Sequence, residues 1–150
     1  MILFLCISVL VVVADYFTKL LAVNVFKANE ITLIKDVLYF TYVENRGAAF
    51  GILQNHRWVF IAITIIVIAL IIAYVFIKKP KKKIELVSLS LICGGGIGNM
   101  IDRISLSYVI DFIDFRIINF PVFNVADCAV VIGCGLLILY LLFIEGKENG

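Results

Sequence analysis

Four long apolar runs dominate the chain and are separated by short polar stretches. A helix needs about 20 apolar residues to cross the roughly 30 Å hydrocarbon core of a bilayer, and each run has about that length. We therefore predict an all-α membrane protein in which residues 1–150 form one integral membrane domain. The predicted transmembrane helices are residues 2–23, 58–77, 84–104 and 123–144.

The polar stretch at 24–57 contains a second pattern, typical of strands. The segments ITLI (31–34) and VLYFTYV (37–43) are rich in β-branched and aromatic residues, and NRGAAFG (45–51) follows with two glycines around a small-residue turn. The pattern predicts a small β element lying on the membrane surface. A plain connecting loop is the alternative.

The stretch KKPKKK at 78–83 predicts the orientation of the helices. Short loops rich in lysine and arginine stay on the cytoplasmic side of the membrane. Counting spans outward from this loop places both termini in the cytoplasm. The segments 24–57 and 105–122 then face the outside.

Composition agrees with this pattern and excludes other classes of protein. Hydrophobic residues make up 63% of the chain and the mean hydropathy is +1.12, whereas a soluble domain is roughly 45–50% apolar. The net charge is only +2, with no basic patch interleaved with aromatic residues, so we expect no nucleic-acid partner. The four cysteines lie in apolar runs without metal-ligand spacing, so we expect no disulfide, no metal and no cofactor.

Ionisable residues interrupt the predicted spans close to their outer ends. At a rise of about 1.5 Å per residue, Asp15 lies roughly 20 Å from the inner end of its helix, and Asn99 and Asp102 lie about 22 and 27 Å from the inner end of theirs. Asp127 lies about one turn inside the last span, and Asp111 follows the third span by a short segment. The chain therefore delivers polar groups from four stretches to one depth, that of the outer leaflet.

Each of these residues also has a purely structural interpretation. Asp15 and Lys19 have the i, i+4 spacing of an ion pair within a helix. In FNVAD, Asn124 is a good N-cap and Asp127 would be an acid at the positive end of a helix. Asn99, Asp102 and Arg103 share a helix face, and we expect Asp102 and Arg103 to pair with each other.

The convergence of Asp111 and Asp127 favours chemistry over capping alone. Two carboxyl groups held within a few ångströms share one proton. The ionised member can take a proton from water, which attacks a peptide carbonyl, while the protonated member polarises that carbonyl and protonates the leaving nitrogen. We therefore predict a catalytic pair of aspartates that needs no metal, serine or cysteine.

Five motifs occur in order along nearly the full length of the chain, and together they resemble the lipoprotein signal peptidases (signal peptidase II), intramembrane aspartic proteases of bacteria. These motifs are DYFTK (15–19), ENRGAAFG (44–51), GGGIGNMIDR (94–103), VIDF (109–112) and FNVAD (123–127).

The resemblance implies Asp111 and Asp127 as the catalytic pair. It also implies a fold of four transmembrane helices with an extracytoplasmic β-cradle and a short helical flap. Tyr16 and Cys128 stand where that family commonly has glutamine and serine. The implied supporting or substrate-contacting residues are Asp15, Lys19, Asn45, Gly47, Asn99, Asp102, Arg103 and Asn124.

The implied substrate is a prolipoprotein whose cysteine already carries diacylglycerol, cleaved just before that cysteine. The implied location is the bacterial cytoplasmic membrane, with the active site toward the outer leaflet and membrane lipid as a neighbour, and we expect a monomer. Intramembrane acids also serve transporters as proton relays, so a small proton-coupled transporter is the alternative function. A non-catalytic membrane scaffold, with the acids as caps and ion pairs, is the third.

Overall fold

The computed structural model describes residues 1–47, 54, 56–118 and 120–145, and the side chains only as far as residue 143. It contains four long helices, all long and apolar enough to cross a membrane. They are α1 (Ile2–Leu21, continued by a π-helical turn, Ala22–Phe26), α2 (Arg57–Lys78), α3 (Lys83–Ser105) and α4 (Val125–Tyr140, continued by a second π-helical turn, Leu141–Glu145).

Helix α4 begins two residues later than the predicted span. Phe123 pairs with Ile113 as an isolated β-bridge, and Asn124 is the cap that precedes the first helical residue. The chain therefore passes directly from an extended conformation into the helix at this point. The junction is the one that carries Asp127.

The segments that connect the helices form a three-stranded antiparallel sheet. Its strands are β1 (Ile31–Ile34), β2 (Leu38–Asn45) and β3 (Val109–Phe115), in the order β1-β2-β3. Strand pairing at 31–45 confirms the predicted β element over the plain loop. The turn predicted at 45–51, and with it any flap in the same segment, falls mostly outside the described residues.

Strand β3 was not predicted from the sequence. Its partner β2 lies more than 60 residues earlier in the chain, with Val43 opposite Asp111 and Glu44 opposite Ile110. The first four residues of β3 are buried, so the acid among them, Asp111, has little exposed surface. The sheet is completed only when the segment after α3 returns to the hairpin after α1.

Helix α3 lies at the centre of the bundle and packs against α1, α4 and α2. Its glycines permit the close approach that small residues allow between membrane helices. A Cβ atom added to Gly95 would collide with the carbonyl oxygen of Ala126 in α4, and one added to Gly98 would lie 2.6 Å from Oδ2 of Asp15 in α1. The backbone of α3 therefore closely approaches the C-terminal half of α1 and the N-terminal end of α4.

An aromatic cluster joins the end of α1 to the sheet. Phe26, in the turn that continues α1, lies 5.0 Å from Phe40 and 6.1 Å from Phe112 between ring centroids. Phe112 directly follows Asp111 in β3, and its side chain is buried with Phe26, Ala22 and Ile110. This packing holds β3 against the C-terminal end of α1.

Candidate active site

Asp111 lies in the buried half of β3 and is only 2% exposed. Both of its carboxyl oxygens accept hydrogen bonds from side-chain amides. Asn124 donates to Oδ1 at 2.6 Å, and Asn45, the last residue of β2, donates to Oδ2 at 2.8 Å. The carboxyl group is therefore held from two separate elements of the fold.

Asp127 is the third residue of α4 and forms a capping box with Asn124. The backbone N–H of Asp127 donates to Oδ1 of Asn124 at 2.9 Å, and the backbone N–H of Asn124 donates to Oδ2 of Asp127 at 3.2 Å. Its remaining oxygen, Oδ1, accepts from the amide of Asn99 at 2.7 Å. The capping interpretation is thus confirmed, and the same carboxyl group also reaches into a cavity.

Two asparagine side chains connect these acids, which we call the aspartate pair. Asn124 is fully buried and donates both to Asp111 and, at 3.1 Å, to Oδ1 of Asn99. Asn99 in turn donates to Asp127. The sequence placed these residues at one depth, and the structure brings them into one continuous hydrogen-bonded network.

Behind the asparagines lies a buried ion cluster centred on Lys19, which is 3% exposed. Its ammonium lies 2.7 Å from Oδ2 of Asp15 and 2.9 Å from Oδ2 of Asp102, and donates to Oδ1 of Asn99 at 3.0 Å. The predicted ion pair of Asp15 with Lys19 is confirmed. The predicted pairing of Asp102 with Arg103 is wrong: consecutive residues of a helix point about 100° apart, so Asp102 faces α1 while Arg103 faces the cavity.

The cavity has a volume of about 630 Å³, and Asp111, Asp127 and Arg103 all line it. Arg103 lies over the ring of Phe60 in α2, 4.8 Å from its centroid, and donates to the backbone carbonyl of Asn99 at 3.4 Å. Gly47 also lines the cavity, and its N–H donates to Oδ1 of Asn45 at 3.0 Å. The other described residues that line it come from α2, α4 and the segment before α4: Phe60, Phe120, Pro121, Val122, Phe123, Cys128, Val131 and Ile132.

Apart from Phe123 and Cys128, the sequence did not single out these mainly apolar wall residues. An apolar residue inside an apolar span looks the same whether it faces lipid, another helix or a ligand. Helix α2 packs mainly on α3, and Phe60 of α2 lines the same cavity as Val131 and Ile132 of α4. No signal in the sequence alone separates them from their lipid-facing neighbours.

Burial changes the acidity of Asp111. The pKa of this carboxyl is raised from 3.8 to about 7, first because burial removes the water that would solvate its charge, and second because Asp127 lies nearby. The hydrogen bonds from Asn45 and Asn124 oppose this effect. Asp111 can therefore carry a proton near neutral pH.

Metal-ligating side chains do not group together in the part of the chain that the structure describes: no three His, Cys, Asp or Glu residues there could hold one ion. The four cysteines are free thiols. Cys128 lines the cavity beside Asp127. The groups at this site that can transfer protons are thus chiefly the two carboxyls.

Comparison with known proteins places this chain in a family. A profile for the family described as signal peptidase (SPase) II matches residues 7–143. A lipoprotein signal peptidase of Brevibacillus brevis is 47% identical over 145 residues, covering 95% of this chain and 96% of its own. One from Halothermothrix orenii is 50% identical over 133 residues, covering 88% of this chain and 90% of its own.

Solved structures of bacterial membrane enzymes are similar to this chain in both fold and sequence. A bacterial membrane enzyme determined by the in meso method at 2.3 Å resolution has a TM-score of 0.88 and 34% identity, covering 97% of this chain and 90% of the other. A second, at 1.9 Å resolution, has a TM-score of 0.85 and 35% identity, covering 94% and 93%. The chain belongs to the signal peptidase II family of membrane-embedded peptidases.

Proposed function

We propose that this protein is an intramembrane aspartic endopeptidase that removes the signal peptide from diacylglyceryl-modified prolipoproteins by cleaving just before the lipidated cysteine. Family membership supports a peptidase over a transporter or a scaffold. The observation that carries the aspartic mechanism is that Asp111 and Asp127 line one cavity, each held by a separate asparagine amide. The substrate is proposed from the name of the relatives, lipoprotein signal peptidase.

In the proposed reaction the aspartate pair shares one proton. The ionised carboxylate removes a proton from water as the water oxygen attacks the carbonyl carbon of the scissile peptide bond. The protonated carboxyl donates its proton to the carbonyl oxygen. Collapse of the tetrahedral intermediate breaks the C–N bond, and the pair protonates the leaving nitrogen and returns to its starting state.

The raised pKa of Asp111, to about 7, supports a pair in which one carboxyl group is protonated and the other is ionised. A carboxyl group with the ordinary value of 3.8 would be ionised at neutral pH and could not donate a proton to the substrate. The amide N–H groups of Asn45 and Asn124 orient the same carboxyl without taking its proton, because they are donors only. Catalysis by the pair then requires no metal.

Substrate is proposed to reach the pair from the bilayer, between α2 and α4. The cavity walls on these helices are apolar, from Phe60 on one side to Val131 and Ile132 on the other, and so suit a hydrophobic signal peptide and acyl chains. With the lysine loop at 78–83 in the cytoplasm, the cavity faces the outer leaflet of the bacterial cytoplasmic membrane. A lipid-anchored cysteine would hold the scissile bond at the depth of the pair.

The test is cleavage of a diacylglyceryl-modified prolipoprotein by purified protein, followed by gel shift. We expect Asp111→Asn and Asp127→Asn each to lower turnover by at least about 1000-fold, because each removes a group that transfers a proton in the reaction. Asp114→Asn is the matched control: Asp114 lies in the same strand but is bonded to Arg116 outside the cavity.

Thermal unfolding of each variant must show that it is folded. Near-normal turnover by either Asp111→Asn or Asp127→Asn would exclude the pair. Failure of the folded wild-type protein on fully lipidated substrate would exclude the activity itself. EDTA should leave turnover unchanged, and loss of turnover with rescue by a metal would contradict the mechanism.

A further inference from the structure

Lys19 uses all three of its N–H groups on three different acceptors. The acceptors are Oδ2 of Asp15, Oδ2 of Asp102 and Oδ1 of Asn99, at 2.7, 2.9 and 3.0 Å. An ammonium group has three donors and no acceptor, so its hydrogen-bonding capacity is exhausted. Lys19 does not line the cavity, so it can influence the reaction only through these three partners and through the field of its charge.

The two carboxylates that bind Lys19 each hold the backbone immediately before one member of the aspartate pair. Oδ1 of Asp15 accepts the N–H of Ala126 at 2.9 Å, and Ala126 precedes the acid of α4. Oδ2 of Asp102 accepts the N–H of Ile110 at 3.1 Å, and Ile110 precedes the acid of β3. The start of α4 and the start of β3 are therefore tied, one residue before each acid, to the two carboxylates that share the Lys19 ammonium.

The third partner, Asn99, has an amide that could face either way. Its oxygen accepts from Lys19 and from Asn124, and its nitrogen donates to Asp127 at 2.7 Å. If the amide were flipped, its NH₂ group would face the ammonium of Lys19, and its oxygen would face the carboxyl group of Asp127. Because Lys19 has no acceptor, it selects the orientation in which Asn99 donates to Asp127.

We propose that Lys19 is the positioning residue of the site: through Asp15, Asp102 and Asn99 it sets the separation and orientation of the aspartate pair. This inference rests on the proposed function and goes beyond it in giving the ion cluster a role in the reaction. Loss of the shared ammonium would free α4 and β3 to move relative to each other. A misplacement of about 1 Å in a reacting group costs on the order of 100-fold in rate.

Lys19 also acts on the acidity of the pair. Its positive charge lowers the pKa of Asp111, against the larger opposing effects of burial and of Asp127. Removal of that charge should therefore raise this pKa further. The other polar and charged groups that face Asp111 are Asn45 on β2, Asn124 before α4 and, across the cavity, Arg103 on α3.

The decisive variant is Lys19→Met, which keeps the length of the side chain and removes its charge and donors. Its matched control is Lys27→Met, because Lys27 lies on the outer surface over the ring of Tyr42. Two quantities are measured: the kinetics of cleavage of a diacylglyceryl-modified prolipoprotein, and the titration of Asp111 by NMR of protein labelled with ¹³Cγ-aspartate, assigned with Asp111→Asn. Lys19→Arg, which keeps a donor-only cation, should recover part of the activity.

Positioning predicts a specific pattern of results for Lys19→Met. We expect kcat to fall on the order of 100-fold with misplacement of the pair, and KM to stay within about threefold, because Lys19 does not touch the substrate cavity. The titration of Asp111 should move to higher pH. A kcat close to that of wild type would overturn the proposal. The proposal would also be overturned if activity fell only in proportion to the loss of folded protein while the titration of Asp111 stayed at its wild-type pH.

Removal of Lys19 alone leaves two buried carboxylates without their cation and can unfold the protein. In that event Asp15→Asn/Lys19→Met replaces it, since this double variant removes one charge of each sign and keeps an oxygen for the N–H of Ala126. The same kinetic and titration criteria apply to it. The titration needs no substrate, so it tests Lys19 even if the wild-type protein fails to cleave, a result that would contradict only the proposed function.

Discussion

The side-chain amide of Asn124 donates a hydrogen bond of 2.6 Å to Oδ1 of Asp111. The same residue is the N-cap of α4, the helix that carries Asp127 as its third residue. One buried side chain therefore satisfies the start of a helix and orients a carboxyl group on a neighbouring strand. Local helix chemistry and the geometry of the site depend on a single asparagine.

Asn124→Ala should damage both stability and activity. It removes an N-cap, which costs about 1 kcal/mol, and leaves Oδ1 of the buried Asp111 carboxyl without its donor, which costs about 1–3 kcal/mol. With Asp111 held by Asn45 alone, turnover should fall on the order of 100-fold. Thermal unfolding and the cleavage assay measure the two effects.

Asn24→Ala is the control for this asparagine. Asn24 is exposed, and its side-chain amide donates to the backbone carbonyl of Leu20 in its own helix. The Asn24→Ala substitution should change both the stability and the turnover little. If Asn124→Ala behaves like Asn24→Ala, Asn124 does not organise the site.

Gly98→Ala should destabilise the protein where three helices meet. The added Cβ would lie 2.6 Å from Oδ2 of Asp15 and 3.3 Å from Cβ of Ala126. Overpacking of this kind costs about 1–3 kcal/mol, and here it also presses on the ion cluster, so activity should fall as well. The free energy of unfolding in detergent and the rate of cleavage give the comparison.

Gly135→Ala provides a matched control within a helix. A Cβ at Gly135 meets nothing within 4 Å, and alanine favours a helix over glycine by about 1 kcal/mol. This variant should be as stable as wild type or more so. Equal destabilisation by both substitutions would show that close helix approach at Gly98 is not the cause.

The pH dependence of stability should carry the signature of Asp111. Its pKa is higher in the folded protein, about 7, than its ordinary value of 3.8. The folded state then binds more protons than the unfolded state between these values, so this group's contribution to the free energy of unfolding falls as pH rises through that window and is constant outside it.

When the free energy of unfolding is plotted against pH, wild type and Asp111→Asn should therefore differ in slope. The variant lacks the titrating group and should lose less stability between about pH 4 and pH 7. Parallel curves for wild type and Asp111→Asn would show that this carboxyl does not titrate high in the folded protein.

The orientation in the membrane is testable with single cysteines, after replacement of the native Cys6, Cys93, Cys128 and Cys134. A cysteine in place of Lys81, in the lysine loop, should resist a membrane-impermeant maleimide in intact cells and react after permeabilisation, because basic loops stay inside. A cysteine in place of Lys35, between β1 and β2, should react in intact cells. The reverse pattern would invert the proposed topology.

Much of the architecture could be predicted from local pattern alone. Apolar runs of span length indicated four helices because the bilayer sets both the length and the polarity of a spanning segment. The i, i+4 spacing of Asp15 and Lys19 indicated their ion pair, and the spacing of Asn124 and Asp127 indicated the cap. Each of these features involves residues close together in sequence, whose relative positions follow from helix geometry.

Long-range contacts could not be predicted in this way. The sequence did not indicate that β3 would join the hairpin of β1 and β2, or that Asp102 would bind Lys19 rather than its neighbour Arg103. It also did not identify the apolar walls of the cavity, such as Phe60 and Val131. In each case the partner lies far along the chain, and the residue types allow several partners equally well.

The sequence by itself thus determined the membrane class, the helices and the depth at which polar residues gather, because these follow from hydrophobicity and helix rise. Only the tertiary structure decided that Asn99, Asn124 and Lys19 connect the two acids. A buried polar group must find a partner. Which partner it finds depends on how α1, α3, α4 and β3 pack together, and here that packing aims Asp111 and Asp127 into one cavity.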